Sequence, residues 1–171
     1  MYGYSGPFGA WCYFLGPVVF VYRLTREQYA TDLSGSGARL YGGRWNPPGL
    51  ACLYTCENRA LAALELLVNT PEDSLGTVYT LITLQVSEVV RLYRPDLAEL
   101  PEHWQDYPCP ITTQNFGAAL LHQPEYLGFF VPSVVMPYEY NLVFNVFHPD
   151  FSTAVQIAHV QDWRVDGRLK G

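Results

Sequence analysis

The order of apolar and polar residues predicts a domain built mainly of strands. Residues 18–24 read Val-Val-Phe-Val-Tyr-Arg-Leu, a β-branched and aromatic run that predicts a first strand. Similar runs predict further strands at residues 50–55, 77–86, 128–132, 141–147 and 160–165. Between residues 25 and 43 the chain is polar and rich in glycine, so we expect a long loop there.

Helical periodicity is clearest at residues 57–70. Apolar side chains recur there at the spacing of one helix face, at Ala60, Leu61, Leu64, Leu67 and Val68. Glu57 would open this helix, because an acidic residue suits the positive end of the helix dipole. Glu65 is one position from the apolar stripe. Its carboxylate is therefore expected either in water at the shoulder of the helix or in a cleft.

The remaining segments complete the prediction of one α+β domain. A second helix is predicted at residues 112–122, with Thr112 or Thr113 as its N-cap. Residues 1–17 lack the basic start and the cleavage site of a secretory signal and are broken by Gly and Pro, so we expect an irregular leader. Strands predominate in residues 18–171 and helices do not alternate regularly with them, which favours a single compact α+β domain.

Composition and charge narrow the classes of function. Of the 171 residues, 49% are hydrophobic and 15% are charged, which excludes a disordered acidic or basic chain. The net charge of −6 argues against binding nucleic acid through a basic face. The charge is uneven, however. Residues 1–59 hold five arginines and three acidic residues, whereas residues 60–163 hold two arginines and twelve acidic residues. A local site for a small anion is therefore compatible with this acidic chain.

Spacing disfavours three kinds of site. The four cysteines include no Cys-x-x-Cys pair and no Cys/His spacing typical of zinc, so we predict no metal. Gly35-Ser36-Gly37 does not make a dinucleotide loop, because Leu40 stands where the third glycine is required. No serine lies in the Gly-x-Ser-x-Gly turn of a hydrolase.

Residues 42–46, which read Gly-Gly-Arg-Trp-Asn, are the first candidate for chemistry. The two glycines allow close approach of a ligand to the backbone, and Arg44 directly after them could clamp a phosphate. The alternative is a tight turn in which Trp45 seals the core and Arg44 is solvated.

Tyr54, Glu65 and Ser133 are the second candidate. A tyrosine that ends a strand and a glutamate on the next helix can face one cleft, where the ring stacks on a ligand and the carboxylate stabilises positive charge. Ser133 follows an apolar strand, and its hydroxyl could hold a ligand. The alternatives are a half-buried sheet tyrosine, an exposed helix glutamate and a turn serine.

The order of these motifs resembles the RES domain family, which is named for its arginine, glutamate and serine. The resemblance covers residues 18–165. It is carried by Tyr22-Arg23, residues 37–46 (Gly-Ala-Arg-Leu-Tyr-Gly-Gly-Arg-Trp-Asn), Leu53-Tyr54-Thr55, residues 60–65 (Ala-Leu-Ala-Ala-Leu-Glu), Val131-Pro132-Ser133, Asn141 and His148-Pro149-Asp150-Phe151. Each segment alone is a weak signal, whereas their order is specific.

The resemblance implies a fold, a site and a partner. RES proteins are toxins of bacterial toxin–antitoxin pairs with a fold similar to that of ADP-ribosyltransferases, so mostly antiparallel sheets with flanking helices are expected. The resemblance places active-site positions at Arg44, Tyr54, Glu65 and Ser133. It places NAD+-binding positions at Arg23, Tyr41, Asn46 and Asn141. It also implies an Xre-type helix-turn-helix antitoxin as the partner. The residues themselves add three expectations: a cytoplasmic location, because reduced thiols are the default for a chain of this size; no direct contact with nucleic acid, because of the negative charge; and no membrane contact, because no apolar run of about 18 residues occurs. A homo-oligomer stays open.

The resulting hypothesis is an enzyme that cleaves the nicotinamide–ribose bond of NAD+, preferentially by phosphorolysis to nicotinamide and ADP-ribose 1″-phosphate. NAD+ would be the substrate and phosphate the co-substrate, with no metal or catalytic cofactor. Arg44 would bind phosphate, Tyr54 would stack on nicotinamide or its ribose, and Glu65 would stabilise the positive transition state. Ser133 would position the ribose or the nicotinamide. An NAD+ glycohydrolase, an ADP-ribosyltransferase acting on a macromolecule and a non-catalytic partner-binding module are the alternatives.

Overall fold

The computed structural model describes residues 2–5, 11–14, 18–71, 78–87 and 90–169. Its strands are β1 (Tyr2–Ser5), β2 (Trp11–Phe14), β3 (Val18–Arg26), β4 (Leu53–Cys56), β5 (Val78–Ser87), β6 (Leu92–Tyr93), β7 (Gly128–Pro132), β8 (Tyr140–Phe144) and β9 (Val155–Arg164). Its α-helices are α1 (Ser36–Tyr41), α2 (Arg59–Val68), α3 (Ile111–Leu121) and α4 (Phe151–Ala154). Short 3-10 turns occur at Glu27–Tyr29, Leu97–Glu99 and Gly167–Leu169.

Seven strands form one sheet in the order β6-β7-β8-β4-β3-β5-β9. Its neighbours run antiparallel except β6 and β7, which are parallel. The predicted α+β class with a mostly antiparallel sheet is thus confirmed. Within residues 1–17, expected to be irregular, β1 and β2 pair as a separate two-stranded antiparallel sheet. Among the described helices, none combines the length and the apolar character needed to cross a bilayer.

The pairing register gives the large sheet two faces. Cross-strand partners lie on the same face, and Tyr22 pairs with Cys56, Cys56 with Asn141, and Asn141 with Val131. Helix α2 packs on this side, because its buried Leu61 clusters with Cys56 and Tyr22. We call this side the α2 face.

The opposite face carries the larger hydrophobic core. Its buried members on the strands include Val21, Leu53, Ile82, Leu84, Phe130, Leu142 and Phe144. The short helix α4 closes this core, with the Phe151 ring 6.1 Å from that of Phe144. Burying a side chain of this size stabilises a fold by about 1.5–3 kcal/mol, so this face supplies much of the driving force for folding.

Most predicted strands are confirmed with shifted ends, but the predicted loop at 25–43 is wrong. That stretch contains the end of β3, a 3-10 turn and the helix α1. The Asp32 carboxylate accepts hydrogen bonds from the hydroxyls of Ser34 and Ser36, and so organises the turn that precedes α1. Gly35 and Gly42 bound the helix with φ of 69° and 72°, which glycine adopts without strain. The last strand begins at Val155 rather than at residue 160.

Both predicted helix starts are also wrong by one or two residues. Helix α2 begins at Arg59, and Asn58 is its N-cap, with its Oδ1 accepting from the Leu61 N–H at 2.8 Å. Glu57 lies before the helix. Helix α3 begins at Ile111 after Pro110. Pro110 is the extended N-cap, and its carbonyl accepts from the N–H groups of Thr113 and Gln114, so the threonines fall inside the first turn.

Helix α3 approaches the backbone of residues 44–46 closely. The buried Trp45 ring lies 5.8 Å from that of Trp104 and 6.2 Å from that of Phe116. At Gly117, one residue further along α3, a Cβ atom would overlap the carbonyl oxygen of Trp45. Glycine is therefore required there by packing rather than by backbone conformation.

We expect Gly117→Ala to destabilise the protein although alanine is the better helix former. Overpacking against backbone costs about 1–3 kcal/mol. Gly37→Ala in α1 is the matched control, because a Cβ at Gly37 meets no atom within 4 Å and gains about 1 kcal/mol of helix propensity. Urea unfolding of both variants checks this. Equal stability of the two variants would show that the close approach does not constrain residue 117.

Candidate active site

Three side chains from separate elements meet at one carboxylate oxygen. The hydroxyl of Ser133, just after β7, donates to Oε1 of Glu65 at 2.8 Å. The Nδ2 group of Asn141, on β8, donates to the same oxygen at 2.7 Å. We call these three residues the Glu65 cluster. Among the described residues no hydrogen bond engages Glu65 Oε2, which is thus free to accept from a ligand.

The position of Glu65 on α2 explains why its carboxylate faces the sheet. Leu61 and Ala62 are buried against the α2 face. Glu65 follows them by four and three residues, and residues at this spacing lie on the same side of a helix. Of the two alternatives for this carboxylate, water or cleft, the structure shows a half-buried position against the sheet.

All hydrogen-bonding positions of the Ser133 hydroxyl are used within the protein. Its oxygen accepts from the backbone N–H groups of Val135 and Met136 at 3.0 and 3.2 Å, and its proton goes to Glu65. A hydroxyl has one donor and two acceptor positions, so none is left for a ligand. This geometry fits a residue that orients Glu65 rather than one that holds a substrate.

Asn141 presents a buried acceptor. Its Nδ2 donates to Glu65, so its Oδ1 points away from Glu65. This oxygen is buried and has no hydrogen-bond partner among the described residues. Leaving such an acceptor unsatisfied costs about 1–3 kcal/mol.

Tyr54 and Asn46 meet in a second arrangement, which builds the 42–46 segment. The Tyr54 hydroxyl donates to Asn46 Oδ1 at 2.8 Å and accepts from the Trp45 N–H at 3.0 Å. Asn46 is fully buried, and its Nδ2 donates to three backbone carbonyls, those of Ala38, Pro47 and Leu50.

Gly43 lies directly against the Tyr54 hydroxyl. A Cβ at Gly43 would lie 2.6 Å from the Tyr54 hydroxyl oxygen, so the contact requires a glycine there.

The Tyr54 ring lies on the α2 face, since Tyr54 is two residues from Cys56 and pairs with Val143. Its partner Val143 is two residues from Asn141, which makes Tyr54 a diagonal neighbour of the Glu65 cluster.

The structure does not bring the other three predicted residues into contact with this cluster. Arg44 donates through Nη1 to the carbonyls of Trp104 and Asp106, at 2.5 and 2.9 Å. Arg23 lies on the opposite face of the sheet, where its Nη1 donates to the Asp32 carbonyl at 2.7 Å. Tyr41 is 79% exposed at the end of α1.

Cys56 is a neighbour of the cluster that the sequence analysis missed. It pairs directly with Asn141, and burial, aided by the negative charge of Glu65, raises the pKa of its thiol to about 12. The signal that could have found it is strand alternation, because Cys56 follows Tyr54 by two residues on the same face. No group of three metal-ligating side chains occurs in the part of the chain that the structure describes.

Comparison with known proteins identifies close relatives. A family model described as the RES domain matches residues 20–166. A protein named Toxin Res from Photorhabdus laumondii is 35% identical over 153 residues, which cover 88% of this chain and 97% of the relative. A protein named Prs ADP-ribosylating toxin from Sphingobium is 35% identical over 147 residues, or 84% of this chain and 90% of the relative.

A solved structure shares the fold. The toxin–antitoxin complex MbcT–MbcA of Mycobacterium tuberculosis contains a chain that aligns over 86% of this chain and 85% of its own length. The TM-score is 0.63 at 23% sequence identity. MbcT, named an NAD(+) phosphorylase, is 39% identical to this chain over 71 residues, which cover 35% of this chain and 36% of MbcT.

Removing the Tyr54 hydroxyl should destabilise the fold. Tyr54→Phe leaves two buried partners without their hydrogen bond, which costs about 1–3 kcal/mol for each unsatisfied group. Tyr41→Phe is the control, because that side chain is exposed and such changes usually stay within about 0.5 kcal/mol. Chemical denaturation of both variants measures the difference. If Tyr54→Phe were as stable as the control, the hydroxyl would not hold this segment.

The buried thiol of Cys56 should make stability fall at alkaline pH. Its pKa is about 12 in the folded protein against 9.0 for an ordinary thiol, so the unfolded state loses the proton first. The stabilising effect is complete below pH 9 and is lost as the pH rises from 9 to 12. Cys56→Ala should reduce the slope of unfolding free energy against pH by up to about 1.4 kcal/mol per pH unit. Urea titrations at several pH values test this; unchanged slopes would contradict it.

Proposed function

Since this chain belongs to the RES domain family, we propose that it is a toxin that consumes NAD+ by cleaving the bond between nicotinamide and its ribose. The observation that carries the proposal is the Glu65 carboxylate. One of its oxygens is fixed by Ser133 and Asn141, while the other has no partner among the described residues. Such a carboxylate is oriented before a substrate arrives, as electrostatic catalysis requires.

The chemistry of the bond suits a single carboxylate. Cleavage passes through an oxocarbenium-like state, in which the ribose carries positive charge. Nicotinamide leaves as a neutral group that takes the electron pair of the broken C–N bond, so no general acid has to protonate it. Glu65 Oε2 would accept a hydrogen bond from the neighbouring ribose hydroxyl and stabilise the charge on the ring.

Phosphate is the proposed acceptor. One phosphate oxygen forms a bond to the ribose C1″ as the C–N bond breaks, which gives nicotinamide and ADP-ribose 1″-phosphate. The partial match to MbcT, named an NAD(+) phosphorylase, supports this choice. Arg44 would bind phosphate through Nε and Nη2, because only its Nη1 is engaged by the two carbonyls in the described structure.

The other predicted residues receive roles that fit their positions. Tyr54 would offer its ring to nicotinamide or the ribose, and Asn141 would orient the Glu65 carboxylate through its Nδ2 group. Ser133 would act through Glu65, and Asn46 would support the 42–46 segment. Tyr41 would reach only a distant part of NAD+, since it does not contact the Glu65 cluster. No contact with NAD+ is proposed for Arg23, which lies on the opposite face of the sheet.

A second candidate is transfer of ADP-ribose to a macromolecule. The Sphingobium relative named an ADP-ribosylating toxin favours it, at 35% identity over most of both chains. The C–N bond breaks in the same way in both reactions, and only the attacking group differs. Glu65 would keep the same role, so the acceptor has to be identified from the products.

The proposed partner is an antitoxin of the Xre type, and the proposed location is the cytoplasm. The structural neighbour was solved with an antitoxin bound, which supports a protein inhibitor for this chain as well. A toxin that consumes NAD+ acts where the cell keeps its NAD+, and its inhibitor has to be present in the same compartment.

Product analysis tests the proposal. The purified protein is incubated with NAD+, with and without phosphate, and the products are resolved by 31P NMR and chromatography. We expect nicotinamide and ADP-ribose 1″-phosphate, formed only when phosphate is present. Glu65→Gln should lower turnover by about 100-fold or more, because it removes the charge that stabilises the transition state. Glu125→Gln, at an exposed position, is the matched control and should leave turnover unchanged.

Each other outcome has a definite meaning. Free ADP-ribose with or without phosphate would indicate a glycohydrolase. Radiolabel transferred from NAD+ to a macromolecule would favour the second candidate. Intact NAD+ with folded wild-type protein would contradict enzymatic activity on NAD+ altogether.

A further inference from the structure

Glu139 contacts both sides of the Glu65 cluster without belonging to it. Its carbonyl oxygen accepts from the Ser133 N–H at 2.8 Å. Its carboxylate Oε2 accepts from Asn58 Nδ2 at 2.5 Å. It also precedes Asn141 by two residues, so both donors to Glu65 are tied to the position of this one residue.

Asn58 carries the link on to the helix that bears Glu65. Its Oδ1 accepts from the Leu61 N–H at 2.8 Å and caps α2. Its Nδ2 donates to Glu139. The Oδ1 and Nδ2 atoms of Asn58 therefore connect the start of α2 to the turn before β8. A carboxylate acceptor makes this bond charge-assisted, and such bonds are stronger than neutral ones.

The turn that holds Glu139 is under backbone strain. Tyr138 has a φ of 69°, a left-handed conformation that non-glycine residues rarely adopt, although its side chain is 95% exposed. Such strain persists only where surrounding contacts fix the backbone. The contacts here are those of Glu139: its carbonyl with Ser133, its carboxylate with Asn58, and its N–H, which donates to the Met136 carbonyl at 3.3 Å.

We propose that Glu139 and Asn58 are positioning residues that hold the Glu65 carboxylate in register with Ser133 and Asn141. This inference rests on the proposed function, because it makes NAD+ cleavage depend on the link. When the link is lost, the start of α2 stays joined to β8 through the pairing of Cys56 with Asn141 and the bond from the Glu57 N–H to the Tyr140 carbonyl, but the side-chain contact that fixes the turn before β8 is gone. Glu65 Oε2 is then displaced from the ribose. A displacement of about 1 Å at a reacting centre can cost 100-fold in rate.

Exchange of donor and acceptor gives the sharpest test. Asn58→Asp keeps an oxygen that caps α2 but loses the donor to Glu139, and it places two carboxylates together. Glu139→Gln alone keeps an acceptor oxygen for Asn58. In the double variant Asn58→Asp with Glu139→Gln, the new amide donates to the new carboxylate, so the bond is restored in reverse. Loss in the single variant and recovery in the double variant would show that the bond itself, rather than either side chain alone, is required.

The kinetic outcomes are specific. We expect Asn58→Asp and Glu139→Ala to lower kcat for NAD+ by about 10- to 100-fold with KM within about 3-fold, since the chemical step rather than binding is affected. Glu139→Gln and the double variant should stay within about 3-fold of wild type in kcat. Tyr138→Ala is the control in the same turn and should retain full kcat. Equal kcat in folded Glu139→Ala and wild type, or no recovery in the double variant, would overturn the proposal.

A structural readout separates this proposal from the proposed function. The side-chain amide resonances of Asn141 report the contact with Glu65 by NMR, whether or not NAD+ is consumed. They should shift in Glu139→Ala and Asn58→Asp and return in the double variant. If wild type leaves NAD+ intact, the proposed function is rejected and the NMR readout still tests the link. Unchanged Asn141 resonances in all variants would reject the link, whether or not NAD+ is consumed.

Discussion

The candidate site depends on one carboxylate oxygen that receives two hydrogen bonds. Glu65 Oε1 is held by a hydroxyl after β7 and by an amide on β8, while Glu65 itself comes from α2. A half-buried carboxylate needs such donors, because burial without them costs several kcal/mol. The sheet order places β8 between β7 and β4, which brings Ser133 and Asn141 side by side under α2.

Two hydrogen-bonded groups on the α2 face have different roles: the Tyr54–Asn46 pair supports the backbone, and the Glu65 cluster is the group to which chemistry is assigned. The Tyr54 hydroxyl and the Asn46 amide form hydrogen bonds that hold the 42–46 segment. Helix α3 packs against this segment at Gly117. The Glu65 cluster keeps one free carboxylate oxygen and one unsatisfied amide oxygen. The amide oxygen is buried, whereas Glu65 Oε2 is not among the buried atoms without a partner in the described residues, which is why the proposed chemistry is assigned to Glu65.

Local patterns could predict the elements, whereas tertiary contacts decide how the site is built. Strand β3 follows from its run of β-branched and aromatic residues, and helix α2 follows from helical spacing. Helix α1 was missed because its glycines weaken the helical pattern, while the Asp32 carboxylate organises the turn before it. Whether Glu65 faces water or a cleft is decided by Ser133 and Asn141, 68 and 76 residues away. The bond between Asn58 and Glu139 spans 81 residues, and no local pattern predicts it.

A crystal structure of the Glu65→Gln variant with NAD+ bound would show whether the substrate binds at Glu65, because this variant should bind NAD+ without consuming it. We expect the nicotinamide ribose on the α2 face, with a hydroxyl within about 3 Å of the side chain at position 65. The Asn141 amide should lie beside the ligand. NAD+ seated on the opposite face of the sheet near Arg23, without contact to residue 65, would contradict it.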